Sequence, residues 1–148
     1  MVKVTSSIFN PKEMKLHSLY MDIATRISEM SYAQRKKVGC IAVKDGRIMS
    51  MGWNGTPSGF DNDCEEWNGT ELVTKREVLH AELNMFAKIA KSHENVENAD
   101  LYVTLSPCFE CSKLIMQSGI KRVFFKEEYR DKSAVDFLEK ANIEVYML

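Results

Sequence analysis

The chain has 148 residues, 45% of them hydrophobic and 28% charged, enough for one core and too few for two ordinary domains, so a single domain over residues 1–148 is expected. Its 20 Lys and Arg balance 21 Asp and Glu, and the largest basic run is Arg35-Lys36-Lys37, which leaves no excess of positive charge for a nucleic-acid backbone. No apolar run approaches the ~18 residues of a membrane span, and residues 1–7 lack an apolar stretch followed by a small-residue cleavage site, so a cytoplasmic location is expected.

Asn10-Pro11 reads as a helix start, with Asn10 as cap and Pro11 at the first position. Leu16, Leu19, Tyr20, Ile23, Ile27 and Met30 then form the apolar stripe of a helix over 11–30. Residues 38–44 and 47–53 are short apolar runs joined by Asp45-Gly46, a hairpin signal. Residues 54–73 are rich in Gly, Asn, Asp and Thr and are expected to be an irregular loop at the rim of a site. A helix from near His80 to about Lys91 would bury Leu83, Phe86, Ile89 and Ala90.

Residues 101–105 read as a third strand, after which Ser106-Pro107 cap and open a helix carrying Cys108 and Cys111 to about Ser118, where Gly119 ends it. A strand over 122–125, a short helix over 133–141 and a strand over 143–147 complete the pattern. There is no internal repeat or linker-like tract. Strands separated by helices imply parallel pairing with right-handed crossovers. The expected fold class is α/β: a three-layer αβα sandwich on a five-stranded mixed sheet that begins with an antiparallel hairpin.

The chemistry concentrates in two short stretches. With no secretory context, the C-x-x-C of Pro107-Cys108-Phe109-Glu110-Cys111 is a metal or redox pair rather than part of a disulfide framework. Two cysteines three apart share one face of a helix turn, and a histidine from elsewhere completes three of the four positions tetrahedral zinc prefers. His80-Ala81-Glu82 offers that histidine. Three protein ligands with an open fourth position mark a catalytic zinc, and Glu82 is placed to move the protons of a water there. Residues two apart do not share a helix face, so a metal reached by both His80 and Glu82 must lie off the helix's N-terminal end. The partial positive charge of two helix starts then favours thiolates at Cys108 and Cys111.

H-x-E followed by P-C-x-x-C is the known signature of zinc-dependent nucleobase deaminases. The resemblance extends through Val38-Gly39-Cys40, Gly52-Trp53-Asn54-Gly55-Thr56-Pro57-Ser58-Gly59, His80-Ala81-Glu82-Leu83-Asn84, the run from Leu101 to Cys108, and Ser118-Gly119-Ile120. On these blocks the chain resembles the deoxycytidylate (dCMP) deaminases of the cytidine deaminase-like superfamily. The resemblance implies hydrolysis of dCMP to dUMP and ammonia in a homohexamer activated by dCTP with Mg²⁺ and inhibited by dTTP. It makes His80, Cys108 and Cys111 the ligands of one Zn²⁺ and Glu82 the shuttle that deprotonates water, protonates the ring nitrogen and protonates the leaving amine.

It also implies that Asn54 meets the sugar hydroxyl and the Thr104 backbone the base edge, with Ser31, Arg26, Arg35 and Tyr129 as candidates for the phosphate or ring. Asn54, Gly55, Pro57, Gly59 and Asn84 become the effector region, with Lys88 and Lys91 beside it. Members holding a second, structural zinc carry extra Cys and His ligands. Here Cys64 stands, but Ala33 and Lys75-Arg76-Glu77-Val78 occupy the other places, so Cys40 and Cys64 are expected as free thiols and His17 and His93 as surface histidines. A deaminase of transfer RNA or single-stranded DNA would share the zinc motif but show a basic face with interleaved aromatics. A non-catalytic zinc module would give Glu82 no role, and a redox pair would form a reversible disulfide.

Overall fold

The computed structural model describes residues 3, 4 and 8–148, with side chains from Ile8 onward. The elements are β1 (Lys3–Val4), α1 (Pro11–Ser28), β2 (Gly39–Lys44), β3 (Arg47–Trp53), β4 (Glu65–Trp67), β5 (Leu72–Thr74), α2 (Ala81–Ala90), β6 (Asp100–Leu105), α3 (Phe109–Gln117), β7 (Arg122–Glu127), α4 (Ser133–Lys140) and β8 (Glu144–Met147). The main sheet has the order β1-β8-β7-β6-β2-β3. β2 is antiparallel to both β3 and β6, whereas β6, β7, β8 and β1 run parallel. The five expected strands are present, and the two residues of β1 add a sixth.

Strict alternation along the strands separates two apolar layers. Cys40, Ala42, Leu101, Val103, Val123, Phe125 and Val145 face α2, α3 and α4 through Ala81, Met85, Ile115, Val135 and Leu138. Ile41, Val43, Tyr102, Phe124 and Tyr146 face α1 through Met21 and Ala24. The result is the expected three-layer arrangement, with one helix on one face and three on the other. Asp45 and Gly46 both have positive φ, 52° and 72°, as a two-residue hairpin turn requires.

A capping box starts α1: Asn10 Oδ1 accepts from Glu13 N at 2.8 Å and Glu13 Oε2 accepts from Asn10 N at 3.0 Å. Its buried line, however, is His17, Met21, Ala24 and Ser28, while Leu16, Leu19 and Met30 of the expected stripe are exposed. The cause is a close approach. A Cβ at Gly39 would lie 2.3 Å from Ala24 O and 2.5 Å from Ser28 N, so small side chains must take the line of contact and the long apolar ones fall to the flanks. His17 is therefore a core residue rather than a surface one: Nδ1 lies 2.7 Å from the Tyr102 hydroxyl and the ring stacks on Phe124 at 4.3 Å between centroids. Burial and the nearby Arg122 hold its pKa below the ordinary value.

The expected loop over 54–73 is partly folded, because β4 and β5 pair as a separate two-stranded hairpin. Asn68 Oδ1 accepts from Thr70 N and Glu71 N at 2.9 Å, and Gly69 has φ 98°, which closes the turn. Three-residue strands are too short to leave a periodic signal. Among the described residues no helix is long and apolar enough to cross a membrane.

Candidate active site

β3, β6 and β7 all end at one edge of the sheet, where α2 and α3 begin, and open α/β sheets place their clefts outside such carboxyl ends. The cleft here has a volume of about 470 Å³, in the range of a small-ligand site. His80, Glu82, Cys108, Leu105 and Ser106 line it together with Val38, Asn54, Glu65, Arg35, Lys36, Glu127, Tyr129 and Arg130.

His80 is the N-cap of α2, with φ −67° and ψ 157°, and its side chain makes no capping hydrogen bond, which leaves the imidazole free. One residue into the helix, Glu82 is 4% exposed. Gly52 sets the height of this turn above the sheet, since a Cβ there would lie 2.2 Å from Ala81 O and 2.6 Å from Met85 N. Three side chains then fasten α2 along the edge strand. Ser50 Oγ donates to Met85 O at 2.9 Å, Asn84 Nδ2 to Trp53 O at 2.7 Å and Lys88 Nζ to Met51 O at 2.9 Å. The i, i+4 step of a helix, about 6 Å, matches the i, i+2 step of a strand, about 6.6 Å, so Asn84 and Lys88 meet alternate carbonyls of β3. The close approach makes Ala81 and Met85 the buried line, and Leu83 and Ala90, expected inside, are exposed.

Gly52→Ala and Gly39→Ala should each cost stability, about 1–3 kcal/mol for overpacking. Only Gly52→Ala moves the turn that carries His80, so only it should weaken zinc binding in a chelator competition. Equal zinc affinity in both variants would remove this role from Gly52.

α3 starts two residues later than Ser106-Pro107 suggests. Cys108 is itself the N-cap, its Sγ accepting from Cys111 N at 3.5 Å. Ser106 instead braces the cleft mouth: its N–H donates to Glu127 O at 2.8 Å and its Oγ accepts from Tyr129 N at 2.6 Å.

His80 Nδ1 lies 3.4 Å from Cys108 Sγ and 3.5 Å from Cys111 Sγ, and the three ligand atoms fall within 4.8 Å of one another. Tetrahedral zinc spaces a nitrogen and a sulfur ligand about 3.6 Å apart, so the donor set fits that ion in both chemistry and spacing. The electrostatics agree. The hydrogen bond from Cys111 draws the Cys108 pKa down to about 4, and the same bond together with burial drives Cys111 up. A dication bound between the two sulfurs would favour both as thiolates. The Cys108 hydrogen bond raises His80. Burial pushes Glu82 up to about 7, opposed by a backbone hydrogen bond and by His80, which suits a group that takes and returns protons near neutral pH.

Of the other expected site residues, Asn54, Arg35 and Tyr129 line the cleft. Asn54 Oδ1 accepts from Val38 N at 2.9 Å and Nδ2 donates to Lys36 O at 2.8 Å, which fixes the loop before β2. Arg35 Nη1 donates to Thr74 Oγ1 at 3.1 Å. Ser31 is buried behind the wall, donating to Asn54 O at 2.7 Å. Thr104 is buried beside Leu105, with Oγ1 accepting from Gly39 N at 3.2 Å. Arg26 is not brought to the cleft: it is exposed on α1 and paired with Glu29 at 2.9 Å. In the expected effector loop, Gly55 N donates to Leu79 O at 3.1 Å and Gly55 O accepts from Leu79 N at 2.8 Å, so that amide is engaged by the segment before α2. Pro57 and Gly59 lie outside the cleft lining. Cys40 and Cys64 are buried free thiols, and His93 is exposed. Sequence reasoning missed Lys36, Glu65, Glu127 and Arg130, which belong to no distinctive motif and converge through folding alone.

Residues 14–127 match the family model of the cytidine and deoxycytidylate deaminase zinc-binding region. The chain is 35% identical over 170 residues to the deoxycytidylate deaminase of Enterobacteria phage T4, covering 87% of this chain and 88% of that one. It is 39% identical over 118 residues to the human deoxycytidylate deaminase, covering 76% of this chain and 65% of the human one, so it spans less than two-thirds of that relative's length. Its fold superposes on the dCMP deaminase from the cyanophage S-TIM5 in complex with dCMP and dUMP with a TM-score of 0.87 at 42% identity, covering 95% of this chain and 99% of that one.

Proposed function

The chain is an enzyme of the cytidine and deoxycytidylate deaminase family, and from that premise we propose that it hydrolyses dCMP to dUMP and ammonia, as a single cytoplasmic domain with one zinc per chain. The observation that carries this reading is the His80, Cys108 and Cys111 cluster with buried Glu82 beside it, in a fold that superposes on a relative in complex with dCMP and dUMP.

Held by His80, Cys108 and Cys111, zinc would supply the Lewis acidity that makes water nucleophilic at neutral pH. Glu82 does the proton work. It takes a proton from the attacking water and delivers it to ring nitrogen N3, then passes the second proton to the amine as the bond from C4 breaks. The oxygen stays on C4, and the two protons of water end on N3 and on ammonia. The Leu105-Ser106 wall and the Thr104 backbone behind it border the base, while Arg35 and Tyr129, joined by Lys36 and Arg130, give the phosphate end its cations and its ring.

Regulation belongs to the same proposal: dCTP with Mg²⁺ activating and dTTP inhibiting a homohexamer, through Asn54, Gly55, Pro57, Gly59 and Asn84. Its support is the likeness of that block to the family. An effector there would act on the contact between Asn84 and Trp53 that holds α2 on β3, biasing one of two conformations.

Ammonia release compared across dCMP, CMP, dCTP, deoxycytidine and cytosine tests the substrate, and dCMP should have the highest kcat/KM. Faster turnover of any other compound would overturn that choice. The dCMP saturation curve should steepen or shift with each triphosphate. Hyperbolic kinetics indifferent to both, from a monomer in light scattering, would reject the regulatory part.

A further inference from the structure

Lys36 and Glu127 both line the cleft, and their side chains are joined there as an ion pair. Each is rooted through its main chain. Lys36 O, in the loop before β2, accepts from Asn54 Nδ2 at 2.8 Å, and Glu127 O, at the end of β7, accepts from Ser106 N at 2.8 Å. β6 lies between β2 and β7, and its last residue, Leu105, is in register with Glu127. The pair therefore bars the mouth across the end of β6, joining segments that extend from strands about 10 Å apart. Both side chains are half exposed, and a surface pair of this kind adds little to stability. Its effect falls on the charge of the mouth. There Glu128 is paired with Lys132 at 3.5 Å, and Glu65 is buried in the wall with its Oε2 on the amides of Gln34 and Arg35. The guanidinium groups of Arg35 and Arg130 have no ion-pair partner among the described residues.

Resting on the reading of dCMP as substrate, with its phosphate at this end of the cleft, we propose that Glu127 is a specificity-determining residue. By holding Lys36 it leaves the mouth with cations for one phosphate group and none for a second. A single phosphate carries about −1.5 to −2 charges near neutral pH, which the two unpaired guanidinium groups balance. Guanidinium groups also suit a phosphate through their paired N–H donors, whereas an ammonium acts as a point charge, and Glu127 cancels that point charge. A further phosphate brings more negative charge to a mouth whose third cation is already neutralised. It meets a carboxylate where a free ammonium would otherwise stand, and like charges brought together in this way lower affinity for the wrong ligand.

The test is competition by dUMP and by deoxyuridine diphosphate (dUDP) against dCMP turnover, which gives an inhibition constant for each ligand. The proteins are the wild type, Glu127→Gln, Lys36→Met and the double variant, with thermal melting recorded for each. Wild type should bind dUMP at least as tightly as dUDP. Glu127→Gln frees the Lys36 ammonium and should shift the preference toward dUDP about three- to tenfold, the scale of one unscreened charge at a protein surface, and the shift should shrink as salt is raised. Lys36→Met leaves the Glu127 carboxylate unpaired and should move the preference the other way, toward dUMP. The double variant restores the balance of charge, so its preference should return close to that of wild type. Damage to the fold alone weakens both ligands together and leaves the preference unchanged. An unchanged preference in Glu127→Gln, or a shift that persists in the double variant, overturns the proposal and leaves the pair a surface contact. Absence of any wild-type turnover of dCMP refutes the substrate reading, and this proposal with it.

Discussion

Replacing Glu82 by glutamine should nearly stop dCMP turnover while leaving zinc bound. The carboxylate is not among the three clustered ligand atoms, and glutamine keeps its volume in a site where Glu82 is 4% exposed, so neither metal nor packing is lost. What disappears is the group that carries protons between water, N3 and the leaving amine, and general acid–base help of this kind is worth about 10² to 10⁴ in rate. Stability should move the other way. Burial raises the Glu82 pKa from its ordinary value of 4.5 to about 7, so ionising it disfavours the folded state increasingly as pH rises from the unfolded value through the folded one. Metal-free Glu82→Gln should therefore melt no lower than wild type at pH 8. Activity within tenfold of wild type, at equal zinc content, would take Glu82 out of the mechanism.

The second large effect is on zinc itself. Cys108→Ser should fold and yet lose the metal, and all turnover with it. Serine keeps an acceptor at the N-cap of α3, where Cys108 Sγ now accepts from Cys111 N, but a hydroxyl does not replace a thiolate as a ligand for zinc. Cys40→Ala is the comparison: Cys40 is fully buried in the core layer that packs against α2, but is not part of the ligand cluster. It should retain full zinc at a modest cost in stability from the small cavity. Elemental analysis after gel filtration distinguishes the two, and full zinc retention in Cys108→Ser would contradict the assigned ligand set.

The parts of the fold visible in the sequence were those whose cause is local. The apolar runs of β2, β6, β7 and β8, the Asp45-Gly46 hairpin turn and the Asn10-Pro11 helix start each depend on residues a few positions apart. His80 and the two cysteines were legible because metal chemistry restricts both residue type and spacing. What escaped depended on distant contacts. Nothing near Leu16 announces that α1 presses on Gly39, and that contact turns Ala24 and Ser28 inward, Leu16 and Leu19 outward. The aromatic row of Tyr102, Phe124 and Tyr146 that encloses His17 is assembled from three strands. Glu65 reaches the cleft only because a hairpin too short to show periodicity folds back over residues 34–35.

The most direct test of the account is dUMP formation from dCMP by the purified protein as isolated, after removal of zinc by a chelator, and after zinc is returned. The account predicts dUMP and ammonia in equal amounts from the zinc-replete protein, none from the stripped protein, and recovery in proportion to zinc bound, up to one per chain. Undiminished dUMP formation by the stripped protein, or none by the zinc-replete protein, would contradict it.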